Sequence, residues 1–387
     1  MANDILTEHP RRAAPGRGAC RDDVLGAVEG TLADFLAGEI LALDEVDPAL
    51  GGFARSARDL VLAGGKRLRP TFAYWGWRGA VGNTEPIESV LPALAALELM
   101  HTFALIHDDV MDESATRRGH PTMHQVFTAQ HVNAGRRGDP VHFGQTAAVL
   151  VGDLCLIWAD QLLARTPLAA ATVLAARACY DRMRVEAVAG QYLDVLGDAD
   201  PQSWSVDRAL LVARHKTAGY TVRHPLRFGL ALAGQTRDQD TAETYDRYGT
   251  AVGEAFQLRD DLLGVYGDPA LTGKPAGDDL RTGKPTALLM LALQLATPAQ
   301  HAELARLHAA DGASRRPAGE RTATGWAAAD VARVARLIEE TGAVTRIESL
   351  IRSRVAEGMA ALEDLAIHPD ARAALTRLAV TATYRPA

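Results

Sequence analysis

The feature that most constrains this chain is an apolar helical stretch that ends in three aspartates. Within Ala95–Gly119, small and aliphatic residues give way to Asp108, Asp109 and Asp112. Asp108 and Asp112 are four residues apart, so a helix projects both carboxylates from one face, one turn apart. Like charges repel at that spacing, and a hard divalent cation such as Mg²⁺ offsets the repulsion by taking oxygen ligands. The alternative is a solvated acidic turn at a helix end.

A second acidic pair, Asp260 and Asp261, follows another apolar helical run in the second half of the chain. Gln257 and Asp261 are four residues apart and share a helix face. Two carboxylate clusters, together with scattered basic residues, indicate a metal-bridged diphosphate site formed by two facing helices of one bundle.

The patterning predicts an all-α protein. Apolar residues recur at helical spacing, glycines and prolines fall at the helix boundaries, and no β-type alternation exceeds a few positions. The length of 387 residues would allow two domains, but the acidic pairs in both halves favour a single all-α domain over 22–387. We expect the polar segment 1–21 to be a disordered tail and Phe127–Gln145 to be a polar connection.

Charge and cysteine content limit the function classes. The net charge of −7 argues against nucleic acid as a partner. The three cysteines, Cys20, Cys155 and Cys179, lack paired or metal-type spacing, which indicates a reducing, cytoplasmic setting. No uninterrupted apolar run is long enough for a membrane span, so no stable membrane insertion is expected.

Lysine is rare here: of the 41 basic residues only four are lysines, and each has a Gly or Thr neighbour. We therefore expect the four lysines at positions that need a compact charge on a flexible stem and where the planar arginine guanidinium does not fit. Lys66 lies in Gly64–Pro70, where three cations follow two glycines and could meet an anion. The alternative is a helix C-cap followed by ordinary surface charge.

The other lysines lie in irregular segments. Lys216-Thr217 precedes a glycine inside a helical pattern, which indicates either a kink that frees backbone groups or a weak point in a helix. Lys274 and Lys284 lie in Gly267–Thr286, a Gly-, Pro- and Asp-rich loop that we interpret as a lid.

These motifs together resemble the trans-isoprenyl diphosphate synthases, or polyprenyl synthetases. No single motif is decisive, but the ordered set is specific, and with its flanking helices it covers most of 30–366. The resemblance implies a single large helical bundle with a central active-site cavity, and a homodimer. The motifs, in family order, are GGKRLRP at 64–70, LIHDDVMD…TRRG at 105–119, GQ at 190–191, KT at 216–217, FQLRDD at 256–261 and GKPAGDD…GK at 273–284.

The resemblance implies that isopentenyl diphosphate is joined to an allylic diphosphate, which is dimethylallyl, geranyl or farnesyl diphosphate. Asp108 and Asp112, with Asp260 opposite, are the implied metal ligands for Mg²⁺, with Mn²⁺ as an alternative ion. Asp109 and Asp261 are implied to be supporting carboxylates. Bound metal would neutralise the departing diphosphate.

The same resemblance assigns two groups of diphosphate-binding residues. His101 lies two helical turns before Asp108 on the same face; the residue alone would be interpreted as a core histidine. The residues implied for isopentenyl diphosphate are Lys66, Arg69, His101 and Arg118. Those implied for the allylic diphosphate are Arg117, Lys216, Thr217, Gln257, Lys274 and Lys284, with Thr217 screening the carbocation and Lys284 closing the loop.

The chain departs from the family pattern at one position. The second acidic motif usually has a third aspartate where this chain has Gly264, which has no side chain to bind a metal. Since the first aspartate of that motif is the expected direct ligand, we predict that activity survives.

In this family the product tail runs down the helix before the first acidic motif. Ala104 leaves the channel open one turn below Asp108, and Phe103 is a candidate plug, with Met100 and Leu97 deeper. Phe103, without the two-residue insertion of many short-product enzymes, resembles the geranylgeranyl (C20) synthases. The expected product is therefore C20, and the alternative is farnesyl (C15).

Two other function classes account for these motifs less completely. A class I terpene cyclase also ionises a diphosphate with Asp-rich helices and Mg²⁺, but it would leave GGKRLRP and Arg118 unexplained. A non-catalytic partner subunit usually loses its acidic motifs, whereas here the first is complete and the second nearly so.

Overall fold

The computed structural model describes residues 21–117, 119–200, 203–234, 238–268, 277–281, 283–304, 328–363 and 365–384. The predicted all-α class is confirmed: within these ranges the strands form one short hairpin, β1 (Thr116–Arg117) paired antiparallel with β2 (His120–Pro121). The predicted tail 1–21 lies outside the described residues except for Arg21, where the first helix begins.

Most of the helices in the described ranges follow one another after a few residues. A π-helix (Ala213–Arg223) and a 3₁₀ turn (Ile87–Ser89) interrupt the α-helical order, and residues 298–304 are also helical. The α-helices are α1 (Arg21–Val46), α2 (Pro48–Leu62), α3 (Leu68–Val81), α4 (Leu91–Met111), α5 (Met123–Asn133), α6 (Pro140–Ala164), α7 (Ala170–Ala199), α8 (Val206–Val212), α9 (His224–Leu232), α10 (Gln239–Tyr266), α11 (Asp278–Arg281), α12 (Ala287–Leu295), α13 (Ala328–Glu340), α14 (Ala343–Glu363) and α15 (Pro369–Thr383).

The core is built from packed helices on all sides of α4 and α10. Helix α4 packs against α6, α10 packs against α14 and the π-helix, and α3 packs against α9. Buried side chains from α1 to α15 form one continuous hydrophobic cluster. The aromatic residues of α3, among them Phe72, Tyr74 and Trp77, are almost completely buried within it, as their apolar context predicts.

The predicted connection Phe127–Gln145 is wrong: α5 continues to Asn133 and α6 begins at Pro140, which leaves only 134–139 between them. Polar composition misled the sequence interpretation because α5 buries a polar residue, His131, whose Nε2 lies 3.0 Å from a loop carbonyl. Helix α6 begins with an N-cap aspartate followed by proline, a standard helix start.

The GGKRLRP segment makes the turn from α2 to α3. Gly64 and Gly65 have φ values of 85° and 146°, and Arg67 has a left-handed φ of 46°. This turn directs Arg67 inward, where its guanidinium donates to Glu98 of α4 at 2.8 Å. The two side chains are 4% and 3% exposed, so this arginine of the motif belongs to the core rather than to an open anion site.

We predict that Glu98→Ala destabilises the protein by about 3–5 kcal/mol, because it removes the buried carboxylate that pairs with the buried Arg67 charge. The matched control is Glu29→Ala. Glu29 also contacts Arg67, at 3.3 Å, but is 45% exposed and should contribute less than about 1 kcal/mol. Urea unfolding of both variants checks this; equal destabilisation would contradict the burial argument.

Candidate functional site

The first acidic motif meets a third carboxylate. Asp108 and Asp112 lie at the C-terminal end of α4, and Asp194 projects from α7, so that one ligand oxygen from each lies within 4.8 Å of the others. Negative charge is unfavourable at a helix C-terminus, where the helix dipole is already negative. The cluster therefore requires cations to stabilise it.

Two lysines supply that positive charge. Lys216 donates to Asp108 at 2.8 Å and also to Asp194, and Lys284 lies 3.0 Å from Asp194 and 3.3 Å from Asp112. The lysine side chains are 17% and 22% exposed, so solvent screens these pairs only partly. The structure thus places two of the predicted diphosphate-binding lysines at the predicted metal ligands.

The charges of this cluster shift one another's pKa values. Burial would raise the pKa of Asp108, but the positive charges of Lys216, Lys284 and Arg117 outweigh it and hold that pKa well below its usual range. The pKa of Asp194 is also lowered: burial raises it, but the positive charges of Lys284 and Lys216 lower it by more. Both carboxylates are therefore ionised at neutral pH, as ligands of a hard cation must be.

The hairpin after α4 returns Arg117 to the acidic motif. Gly119, with a φ of 77°, lies in the hairpin turn. The Arg117 guanidinium donates to Asp109 at 2.7 Å and to Asp108 at 3.1 Å. Asp109 is almost fully buried, and its supporting role stays a prediction.

The π-helix carries Lys216 to the site, while Thr217, half-buried beside it, keeps its role only as a prediction. The predicted irregularity at these residues is confirmed, because the chain from 213 to 223 has π rather than α hydrogen bonding. Such segments often occur at functional sites. A Cβ on Gly190 of α7 would lie 2.2 Å from the backbone nitrogen of Lys216, so the two backbones are in direct contact. The glycine of the GQ motif is thereby accounted for by packing.

A second cationic site lies around Tyr220. The Arg69 guanidinium stacks over the Tyr220 ring at 4.1 Å and donates to Thr221 at 2.9 Å. The Tyr220 hydroxyl lies 3.5 Å from Nδ1 of His101, so two of the four residues implied for isopentenyl diphosphate converge on this tyrosine. Arg69 is 8% exposed, yet its Nε has no hydrogen-bond partner among the described residues. A buried donor without a partner can accommodate an anion.

The remaining implied diphosphate ligands are placed as follows. Lys66 is exposed at the α2–α3 turn. Gln257 donates to Asp261 at 2.8 Å, and burial, which dominates, raises the pKa of Asp261 to about 7. Arg118 and Lys274 lie outside the described residues.

Asp260 is half-buried on the same helical turn as Asp261. It is not one of the three aspartates that converge in the described part of the chain. Its role as the opposing metal ligand stays a prediction.

The residues assigned to the product channel continue down α4. Leu97 and Met100 are buried, whereas Ala104 and Phe103 are half-buried. The Phe103 ring packs edge-on to His107, with the ring centroids 4.6 Å apart. The roles of these four residues in the product channel, including that of Phe103 as a plug, stay predictions.

Two residues of this site were not assigned a role from the sequence. Asp194 lies four positions after Gly190 of the GQ motif. A carboxylate one helical turn from a motif glycine was the signal in the sequence that could have identified it. Tyr220 lies four positions after Lys216, but nothing in the sequence distinguishes it from a core tyrosine. Only the fold brings it between Arg69 and His101.

The site fits a magnesium ion by the chemistry of its donors. Asp108, Asp112 and Asp194 offer only carboxylate oxygens, which is the ligand type that Mg²⁺ prefers. The lysines now paired with these oxygens would be released toward the phosphate oxygens of a ligand once a metal takes their place.

We predict that Lys284→Gln binds Mg²⁺ alone about tenfold more tightly than the wild type, because an ammonium no longer competes for Asp112 and Asp194. Binding of inorganic pyrophosphate with Mg²⁺ should instead weaken about tenfold, because the lysine is then a missing anion ligand. Isothermal titration calorimetry measures both affinities.

Arg352→Gln, an exposed change on α14, is the control and should leave both affinities unaltered. If the two affinities of Lys284→Gln move in the same direction, the lysine does not exchange partners as described.

Comparison with known proteins agrees with this geometry. The polyprenyl synthetase family model matches residues 52–318. A geranylfarnesyl diphosphate synthase from Aeropyrum pernix is 35% identical over 242 residues, which cover 61% of this chain and 69% of that protein. A geranylgeranyl diphosphate synthase from Mycobacterium tuberculosis is 32% identical over 310 residues, which cover 79% of this chain and 77% of that protein.

A solved structure extends the similarity to nearly the whole fold. The geranylgeranyl pyrophosphate synthase from Corynebacterium glutamicum, crystallised with isoprenyl diphosphate and magnesium, is 38% identical and superposes with a TM-score of 0.86. The match covers 95% of this chain and 100% of that one. With its helical fold and its carboxylate–lysine site, this chain belongs to the polyprenyl synthetase family of trans-prenyltransferases.

Proposed function

We propose that this enzyme condenses isopentenyl diphosphate with an allylic diphosphate, head to tail, to make geranylgeranyl diphosphate (C20). The observation that carries the proposal is the convergence of three carboxylates and two lysines from separate elements on one half-buried site. An anion with several oxygens, held through a divalent metal, satisfies both sets of charges. The alternative product is farnesyl diphosphate (C15).

The residues divide the reaction between two diphosphates. Bound Mg²⁺, held by Asp108 and Asp112 with further carboxylate support, would neutralise charge that develops on the departing diphosphate. Lys216 and Lys284 hold the oxygens of that diphosphate, and Arg69 with His101 holds isopentenyl diphosphate beside Tyr220. The allylic C1–oxygen bond breaks, C1 bonds to C4 of isopentenyl diphosphate, and a proton leaves C2 to restore a double bond.

The product length is proposed from α4. Phe103 is half-buried, with buried Met100 and Leu97 in the turns before it, so a tail that passes Ala104 meets an aromatic side chain before the helix start. The name of the relative from Mycobacterium tuberculosis supports a C20 product, and that of the relative from Aeropyrum pernix indicates that longer products are compatible with similar sequences.

We predict that labelled isopentenyl diphosphate, Mg²⁺ and each allylic primer in turn yield C20 alcohols after dephosphorylation. Phe103→Ala should shift the products to greater length, because it removes the aromatic ring from the channel. Phe143→Ala, on α6, is the control, with an unchanged product. Absence of any condensation would refute the proposed reaction, whereas an unchanged distribution for Phe103→Ala would remove only that residue's role.

A terpene cyclase is the second function class, and the site around Tyr220 argues against it. A cyclase has no second diphosphate to bind, so the buried, unpartnered Nε of Arg69 would have no ligand. Product analysis with and without isopentenyl diphosphate separates the two classes.

We propose a homodimer formed through α6. This helix is long and apolar enough to span a membrane by length and composition alone, and half of its most apolar stretch is buried. Leu150 and Ile157, on one face of α6, are 54% and 55% exposed. A second copy covering this face would explain those side chains without membrane insertion, which we do not propose.

We predict that light scattering gives about twice the chain mass of 41.3 kDa, and that Leu150→Arg with Ile157→Arg gives a monomer, because buried charge disfavours the interface. The control is Leu41→Arg, which changes a 61% exposed residue of α1. A wild-type monomer would contradict the proposal. The cytoplasmic location and the absence of a nucleic-acid partner stay predictions from the sequence.

A further inference from the structure

The space left by the missing third aspartate of the second acidic motif is filled. A Cβ built on Gly264 of α10 would lie 2.0 Å from Oδ2 and 2.7 Å from Cγ of Asp279. The carboxylate of Asp279, from α11, thus rests on the bare backbone at the motif position where the family usually has an aspartate side chain.

The same two elements are joined through their backbones. The N–H of Gly277 donates to the carbonyl of Gly264 at 3.0 Å, and the N–H of Lys284 donates to the carbonyl of Asp279 at 3.0 Å. Gly277 thus attaches this part of the chain to α10, and Lys284 reaches the carboxylate cluster. Asp279 lies between these two residues in the chain. A carboxylate could rotate away from an added methyl group, but the attached backbone limits where it can go.

The charge of Asp279 acts on both sides of this contact. Burial lowers the pKa of Lys284, but the negative charges of Asp194, Asp112, Asp108 and Asp279 raise it well above its usual value. Burial raises the pKa of Asp261 in the second acidic motif, and the negative charge of Asp279 raises it further. Asp279 thus contacts Gly264 of the motif through its carboxylate and the backbone of Lys284 through its carbonyl.

We propose that Gly264 and Asp279 form a docking pair that holds residues 277–281 against α10 and so places Lys284 over the diphosphate site. This inference rests on the proposed function. Asp279 is a positioning residue: it acts through Lys284, which reaches Asp112 and Asp194. Gly264 then leaves room for a carboxylate supplied by another segment, and it does not represent a lost metal ligand.

The two interpretations of Gly264 make opposite predictions. If the glycine were a lost ligand, Gly264→Asp would strengthen binding of Mg²⁺ with pyrophosphate. The docking pair requires the reverse, because an aspartate side chain would collide with Asp279 and add a like charge beside it. Tighter binding by Gly264→Asp would overturn the proposal.

The experiment is a double-mutant cycle with Gly264→Ala, Asp279→Ala and the double variant. Binding of inorganic pyrophosphate with Mg²⁺ is measured by calorimetry, and hydrogen exchange of the amides at 277–284 is measured by mass spectrometry. We expect each single change to weaken binding about tenfold and to speed exchange, and the double variant to be no weaker than either single one, since contacting residues are coupled. Gly26→Ala, at an open position of α1, and Asp240→Asn, exposed on α10, are the matched controls.

The outcomes distinguish failure of the proposed function from failure of the docking pair alone. If the wild type does not bind pyrophosphate with Mg²⁺, the proposed function and this inference fall together. If the wild type binds but the single variants match it, or if their effects multiply to about a hundredfold in the double variant, the docking pair is refuted and the function stands. Unchanged amide exchange in Gly264→Ala would also refute it.

Discussion

The site depends on two lysines that bridge carboxylates from different helices. Lys216 joins Asp108 of α4 to Asp194 of α7, and Lys284 joins the same Asp194 to Asp112. Without these cations, three ionised carboxylates would face one another at the negative end of a helix dipole. The two lysines thus stabilise the ionised carboxylates although the cluster is partly removed from solvent. A metal can displace the lysines from the carboxylates, and the lysines can then bind a phosphate.

The bridging charges come from irregular segments. Lys216 lies in the π-helix, Arg117 in the hairpin and Lys284 in the chain after α11. Regular α-helices supply the carboxylates, which must stay fixed, whereas the cations must change partners as ligands arrive. This division matches the general tendency of rigid elements to carry ligand geometry and of loops to carry motion.

The π-helix also links the two anion sites. Lys216 faces the carboxylate cluster, and Tyr220, four residues later, lies between Arg69 and His101. Small residues allow this segment to approach its neighbours: Gly190 contacts it from α7, and a Cβ on Gly253 of α10 would lie 2.7 Å from the Cβ of Ala218. A shift of this one segment would therefore move both sites together.

The sequence by itself determined the helical class, the acidic motif on α4 and the importance of its few lysines, because these follow from local periodicity, spacing and composition. Only the tertiary structure decided that Asp194 joins Asp108 and Asp112, that Arg67 turns inward to Glu98, and that Asp279 fills the place above Gly264. Those contacts join residues of different helices and turns. They depend on how the helices pack and on a left-handed turn, which the spacing of residues along the chain does not specify.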